Sequence, residues 1–201
     1  MAKDELDSLD YYFDTAVYRR GFVIGLSAQI ENMLTDIIAW CFYPSRYYQQ
    51  TLIEDLLDSN GLTLKTLVLN KINFRDKIEM FRDILLVKNS RIIKTDDKLI
   101  KLIVNELDEV RKFRNLLAHS ELSYPKDFID PEESPDEKKG TIYFTDFKKG
   151  KVVRHIINEG KYIMETNTMS RVISRLWQLF SLMNDDLNSA LAWEEDANKY
   201  Q

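Results

Sequence analysis

From Leu9 to Phe42 no proline interrupts the chain, and Phe13, Val17, Ile24, Ile30, Leu34, Ile37 and Cys41 recur at or near helical spacing. The pattern predicts one long helix with these residues on or near its buried side, ended by Pro44. A helix with a single apolar side must bury it against other elements, so this stretch points to a helical bundle. Gly21 and Gly25 are each about 1 kcal/mol poorer than alanine in a helix, and predict a kink or the close approach of another helix. The apolar stretch from Phe22 to Phe42 holds Ser27, Gln29, Glu31, Asn32, Thr35 and Asp36. That is too many polar groups for an unaided membrane span, so no membrane partner is expected.

Three further long helices and one short one follow from the same periodicity. Phe74, Ile78, Phe81, Ile84 and Leu85 mark one between Ile72 and Val87, and a short one is expected over Leu62 to Leu69. Thr95, Asp96 and Asp97 supply a cap for a helix that carries Leu99, Ile100, Ile103, Leu107 and Val110. Asn167 or Thr168 can cap the last, whose inner side is Met169, Val172, Ile173, Leu176, Leu179, Phe180, Met183 and Leu187. Trp177 and Trp193 read as packing or interface groups.

The connections are of two kinds. Tyr47 and Tyr48 belong to an aromatic link, followed by a short amphipathic segment from Thr51 to Leu57 and a turn at Asp58 to Gly61. Three of the four prolines fall in 124–140 among many acidic residues, the composition of an exposed loop. Thr141 to Thr145 and Lys151 to Ile157 are rich in branched and aromatic residues, with Lys148, Lys149 and Gly150 between them, which predicts a β-hairpin. His155 shares one face of its strand with Val153 and Ile157, the place of a partly buried, hydrogen-bonded residue. The expected fold is therefore mainly α: one domain over 1–201, an antiparallel helical bundle with an insertion over 122–165 that holds the loop and the hairpin.

The close of the third long helix departs from plain amphipathicity. Arg114 falls on the stripe of Ile100, Ile103, Leu107, Val110 and Leu117, while Arg111, Asn115 and His119 follow at four-residue steps along the adjacent face. Arginine and histidine near a helix C-terminus also suit the macrodipole, and a long arginine can carry its head to water. Glu31, set among apolar neighbours in the first helix, is either a structural polar contact or a partner for that arginine.

The sequence Arg114-Asn115-Leu116-Leu117-Ala118-His119 resembles the Arg-x4-His motif of the HEPN family, in which the residue after the arginine is commonly polar. The stretch from Ile24 to Leu34 is similar to the opening helix of many HEPN proteins, and Phe74 to Phe81 to their second. The resemblance spans roughly Tyr11 to Ser120 plus a closing helix, and leaves 122–165 without a counterpart. It implies a metal-independent endoribonuclease, of the toxin or antiviral-defence kind, with Arg114, Asn115 and His119 as site residues. It also implies a homodimer in which two motifs share one cleft, and an inhibitory or regulatory protein partner. Family members modified by a partner nucleotidyltransferase carry tyrosine two residues after the histidine; Glu121 stands here, which argues against that control.

The chemistry fits these residue types. RNA brings its own nucleophile, the ribose 2′-hydroxyl, so cleavage needs a proton carrier and a cation for the charge gathering on phosphate. Histidine suits the first role and the arginine fork the second, with Asn115 to orient either. Arg111 and Lys112 form with Arg114 a small basic patch able to touch RNA, and Lys138, Lys139, Lys148, Lys149, Lys151 and Arg154 form another. Arg114 and His119 are five residues apart, however, and a regular helix separates them by about 140°. Either the arginine curls across a dimer cleft or the helix loosens at Ala118. The competing readings are a non-catalytic HEPN-like module that binds RNA, a nucleotide or a protein, and an adaptor whose hairpin extends a partner's sheet.

Composition narrows the remaining classes. A formal net charge of −5 argues against a protein that coats nucleic acid. A lone cysteine, Cys41, forms no intrachain disulfide and no cysteine-rich zinc site. The acidic start, with no apolar run behind a basic one, predicts no export signal and a cytoplasmic location. Phosphate loops, serine-nucleophile elbows and paired zinc histidines are missing from the sequence, so no metal and no cofactor are expected.

Overall fold

The computed structural model describes residues 3–42, 68–88, 97–123, 141–148 and 150–198. Four α-helices are found among them: α1 (Lys3–Phe42), α2 (Phe74–Lys88), α3 (Asp97–His119) and α4 (Glu159–Asn198). Three strands lie between α3 and α4: β1 (Glu121–Leu122), β2 (Ile142–Lys148) and β3 (Lys151–Ile157). The fold is a mainly α-helical bundle with a three-stranded antiparallel sheet inserted before the final helix. The expectations for Pro44, Tyr47, Tyr48, 51–61, Thr95 and the proline-rich 124–140 segment lie outside the described residues. So do those for Lys138, Lys139 and Lys149 and for the side chains of Lys148, Met183, Leu187 and Trp193.

The chain forms two compact units. One comprises Met1–Ala28 with Val110–Ser170, the other Gln29–Glu109 with Arg171–Gln201. The second has an apolar interior of Ile30, Leu34, Ile37 and Ile38 from α1, Phe74, Ile78, Phe81 and Leu85 from α2, Ile100, Ile103 and Leu107 from α3, and Val172, Leu176 and Leu179 from α4. Each such side chain contributes about 2 kcal/mol by leaving water. Two ionic contacts, each built on one buried charge, accompany it. Lys77 Nζ donates to Glu31 at 2.8 Å, and Glu106 accepts from Arg175 with Arg171 Nε at 3.6 Å. Asn73 caps α2, its Oδ1 accepting from Asp76 N at 3.0 Å while its Nδ2 donates to the Asp76 carboxylate at 2.7 Å. This reciprocal cap starts the helix at Phe74 and leaves Ile72 outside it.

The first unit holds the sheet, in the order β1-β2-β3. Gly150 takes φ +76° in the turn between β2 and β3, a conformation that strains any residue with a β-carbon. The register pairs Phe144 with His155 and Ile142 with Ile157, so His155 lies half-buried on the face of Val153 and Ile157, as its alternation indicates. β1 was not foreseen: it pairs Glu121 with Thr145 and Leu122 with Phe144. Tyr12 of α1 secures that junction by donating from its hydroxyl to Ser123 O at 3.1 Å and accepting from Tyr143 N at 3.1 Å. Burial raises the Tyr12 pKa, against the lowering effect of the bond from Tyr143.

Three expectations need correction. α4 begins at Glu159, well before Asn167 and Thr168, because Asn158 is its cap: Asn158 Oδ1 accepts from Lys161 N at 2.8 Å. Thr168 is instead buried within the helix and bonds back to Met164 O at 3.1 Å. On α1, Val17 is 63% and Ile24 37% exposed, whereas Ala16 and Val23 are buried. At these two turns the buried positions are thus Ala16 and Val23, one residue before those read in the sequence, whereas Ile30, Leu34, Ile37 and Cys41 are buried as read. Among the described residues Gly21 and Gly25 meet no close element, since a β-carbon on either would find nothing within 4 Å, and α1 is continuous through both. Over Tyr11–Ala39 this helix is long and apolar enough to cross a membrane by length and composition: an 18-residue window within it has mean hydropathy 1.2, and 44% of that window is buried inside the protein.

Candidate functional site

The C-terminal end of α3 carries the polar residues singled out above. Val110, Phe113 and Leu117 are buried and fix the rotation of the helix, which leaves Arg111, Arg114 and Asn115 half-buried and Lys112 and His119 exposed. The helix stays regular to its last residue, for Ser120 N still donates to Leu116 O at 3.1 Å. Loosening at Ala118 is therefore not the means by which arginine and histidine approach. Asn115 and His119 remain one turn apart on a common face.

A different contact addresses the angular gap. Arg114 Nη1 donates to Asn115 Oδ1 at 3.0 Å, which draws the guanidinium from its own stripe toward the face of Asn115 and His119. Among the described residues no carboxylate forms a salt bridge with Arg114, so this bond orients the head without neutralising its charge.

The end of the helix is held from α1. Arg20 Nη2 donates to Ala118 O at 2.8 Å, supplying a charged donor to a carbonyl at the negative end of the helix dipole. From Tyr12 to Arg20 along α1 the contacts move back along the chain, from Ser123 to Ala118, so the two segments run in opposite directions. Next to Arg20, Arg19 lies 4.8 Å over the Tyr162 ring and 3.5 Å from Glu159. Burial raises the Tyr162 pKa while Arg19 acts to lower it. Ser120 presents a buried hydroxyl for which no hydrogen-bond partner is found among the described residues. Sequence reading missed Arg20; the available signal was that Arg19 and Arg20 are adjacent and are the only basic residues of α1 after Lys3.

Glu31 belongs to the other unit, where its carboxylate accepts from Lys77, a side chain only 4% exposed. That contact answers to the structural role of the two expected for it. Among the described residues no group of three or more histidines, cysteines, aspartates or glutamates is placed to hold a metal ion. Asp36, Met33, Ile37, Trp177 and Phe180 line an apolar cleft of about 180 Å³, with Trp177 57% exposed.

Comparison of the chain with protein families, with curated proteins and with solved structures gave no match.

Proposed function

We propose that this protein is a metal-independent endoribonuclease of the HEPN type, working in the cytoplasm as a homodimer, in the manner of a toxin or defence effector held in check by a protein partner. The observation that carries the reading is the bond from Arg114 to Asn115. It turns an arginine with no carboxylate salt bridge among the described residues toward the face of a helix that ends in an exposed histidine.

The reaction needs no nucleophile from the protein. His119 accepts the proton of the ribose 2′-hydroxyl as that oxygen attacks the adjacent phosphorus. The guanidinium of Arg114 binds the non-bridging oxygens as negative charge gathers on them, and its planar fork suits two oxygens at once. The bond from phosphorus to the 5′-oxygen breaks, leaving a 2′,3′-cyclic phosphate and a 5′-hydroxyl. The leaving oxygen takes its proton from a second histidine, which a two-fold pair of chains supplies as His119 of the other copy. Arg111 and Lys112 contact the flanking phosphates.

Purified protein is incubated with total RNA in excess chelator beside a His119→Ala variant. Cleavage by the wild type alone supports the reading. Equal cleavage by both proteins, or by neither, overturns it; RNA retained without cleavage then assigns the site to a non-catalytic binding module.

A further inference from the structure

β3 forms one edge of the sheet, and the direction of its backbone groups follows from the bonds at the other edge. Tyr143 N donates to the Tyr12 hydroxyl at 3.1 Å and Tyr143 O accepts from Ser123 N at 2.9 Å, so both backbone groups of Tyr143 face β1. In an antiparallel ladder the residue opposite such a position also turns its N–H and C=O away from the shared side. Ile156 is opposite Tyr143, and Arg154 and Val152 follow at the same parity. Their N–H and C=O groups are therefore directed out of the sheet, where no further strand lies among the described residues. β3 pairs with β2 through all 7 of its residues without a bulge, and it holds no proline. Its guard against pairing is charge alone.

We infer that this edge binds an extended acidic segment of a partner protein, which joins the sheet as a further strand beside β3. Val152 and Ile156 are each 55% exposed, and Arg154 is exposed between them on the same face. Phe147, opposite Val152, is 66% exposed. A strand laid along the edge thus meets apolar, basic and apolar side chains at alternate positions. Its complement is apolar, acidic and apolar at the same two-residue spacing. Lys151, exposed at the start of β3, adds a second positive charge, and the strand holds no acidic residue.

Charge and hydrogen bonding together select this occupant over two others. Two copies of β3 laid edge to edge gather Lys151 and Arg154 from each chain with no carboxylate in either strand, and like charges set across a ladder repel. A nucleic acid meets the basic groups, but its phosphates only accept hydrogen bonds. It leaves the outward carbonyls unmet and Val152 and Ile156 in water. An extended peptide answers donors, acceptors, apolar side chains and charge at once. The edge is built by the sheet, whatever the end of α3 catalyses, so its success or failure is read from peptide binding and not from RNA cleavage.

Fluorescence anisotropy on the full chain tests this with a labelled Thr-Val-Thr-Glu-Thr-Val-Thr peptide and with its counterpart that has lysine for glutamate. Two further forms of the first peptide carry backbone N-methyl groups, one on valine and glutamate, the other on the intervening threonines. Saturable binding of the glutamate peptide is expected, with the lysine peptide weaker by about tenfold or more. A strand addition engages one edge of the peptide, so one methylated form should lose about tenfold or more and the other should bind as before. Val152→Pro removes an outward N–H and no bond to β2, and should weaken the glutamate peptide by about tenfold. Arg154→Glu should reverse the preference and favour the lysine peptide; this decides the matter if the proline variant loses its circular dichroism. No saturable binding, methylated forms of equal affinity, or folded variants that bind as wild type does, overturn the inference. Oligodeoxythymidylate, which offers no 2′-hydroxyl to cleave, is the nucleic-acid control. A wild type that binds it in place of the peptide, and loses it with Arg154→Glu, also overturns the inference, by assigning the strand to nucleic acid.

Discussion

Two stretches of α3 use arginine in opposite ways. Around Glu106 two arginines of α4, Arg171 and Arg175, converge on one carboxylate that is almost fully buried. Their charge offsets that of Glu106, and the contact belongs to the packing of its unit. At the other stretch Arg114 bonds to the neutral amide of Asn115, one turn before an exposed His119. A neutral acceptor fixes the direction of a guanidinium and leaves its charge for an anion. The difference separates arginines whose charge is met by a carboxylate within the fold from one that forms no carboxylate salt bridge among the described residues, and it is on this that the proposed phosphate contact of Arg114 rests.

The sharpest way to break that contrast is to exchange the readouts. Arg114→Ala and His119→Ala are expected to lower RNA cleavage by about 100-fold or more, the typical cost of losing a transition-state donor or a general base. His119→Ala, at an exposed site, should change stability by less than about 0.5 kcal/mol in urea denaturation. Arg114→Lys should recover little activity, because an ammonium lacks the planar fork. An unfolded Arg114→Ala protein would move the arginine into the class of Arg175. Glu106→Ala is the reverse case: it should cost about 2 kcal/mol, below the usual value for a fully buried pair because Arg171 stays half in water. Cleavage per folded molecule should remain unchanged.

Two smaller effects sharpen the comparison. Arg20→Ala removes the charged donor at Ala118 O, with an expected cost of about 1 kcal/mol and a fall in kcat larger than the change in KM, since His119 loses its support rather than its substrate. Tyr12→Phe is a purely structural control. The folded pKa of Tyr12 is raised, so the stability that its neutral hydroxyl provides is fully present below the ordinary value of 10.0 and fades as pH climbs through the raised value. The stability gap between wild type and Tyr12→Phe should narrow above about pH 10, as measured by urea denaturation at stepped pH. His155→Ala should leave cleavage unchanged, because the side chain lies opposite Phe144 on the inner face of the sheet.

How far these features could be read beforehand depended on whether their cause is local. Helical periodicity placed α2 and α3 to within a few residues, and alternation placed His155 on its face, because burial repeats with the element's own period. The start of α4 was misplaced: Gly160 weakens the helical pattern, and the decisive signal was the single side chain of Asn158, whose cap outweighs it. On α1 periodicity found the buried Ile30, Leu34, Ile37 and Cys41 but was one position out at Val17 and Ile24, since apolar residues occur on both sides of that helix there and periodicity alone does not tell a core face from an exposed one. β1 was illegible for a different reason. Two residues carry no period, and only their pairing with β2 makes them a strand.

The site divides along the same line. Spacing along α3 was enough to group Asn115 with His119, yet the turning of Arg114 toward Asn115 and the hold of Arg20 on Ala118 are three-dimensional facts. Arg20 lies nearly a hundred residues from the carbonyl that it binds, beyond the reach of any local pattern.

The most direct test of the central claim is the chemistry of the cut ends. A short RNA is digested by wild type in excess chelator, beside the same RNA with a 2′-deoxyribose at the cleaved position and beside His119→Ala. Attack by the 2′-hydroxyl predicts 2′,3′-cyclic phosphate and 5′-hydroxyl ends, with no product from the deoxy substrate or from the variant. Ends bearing 5′-phosphate and 3′-hydroxyl, or equal cleavage of the deoxy substrate, would contradict the account.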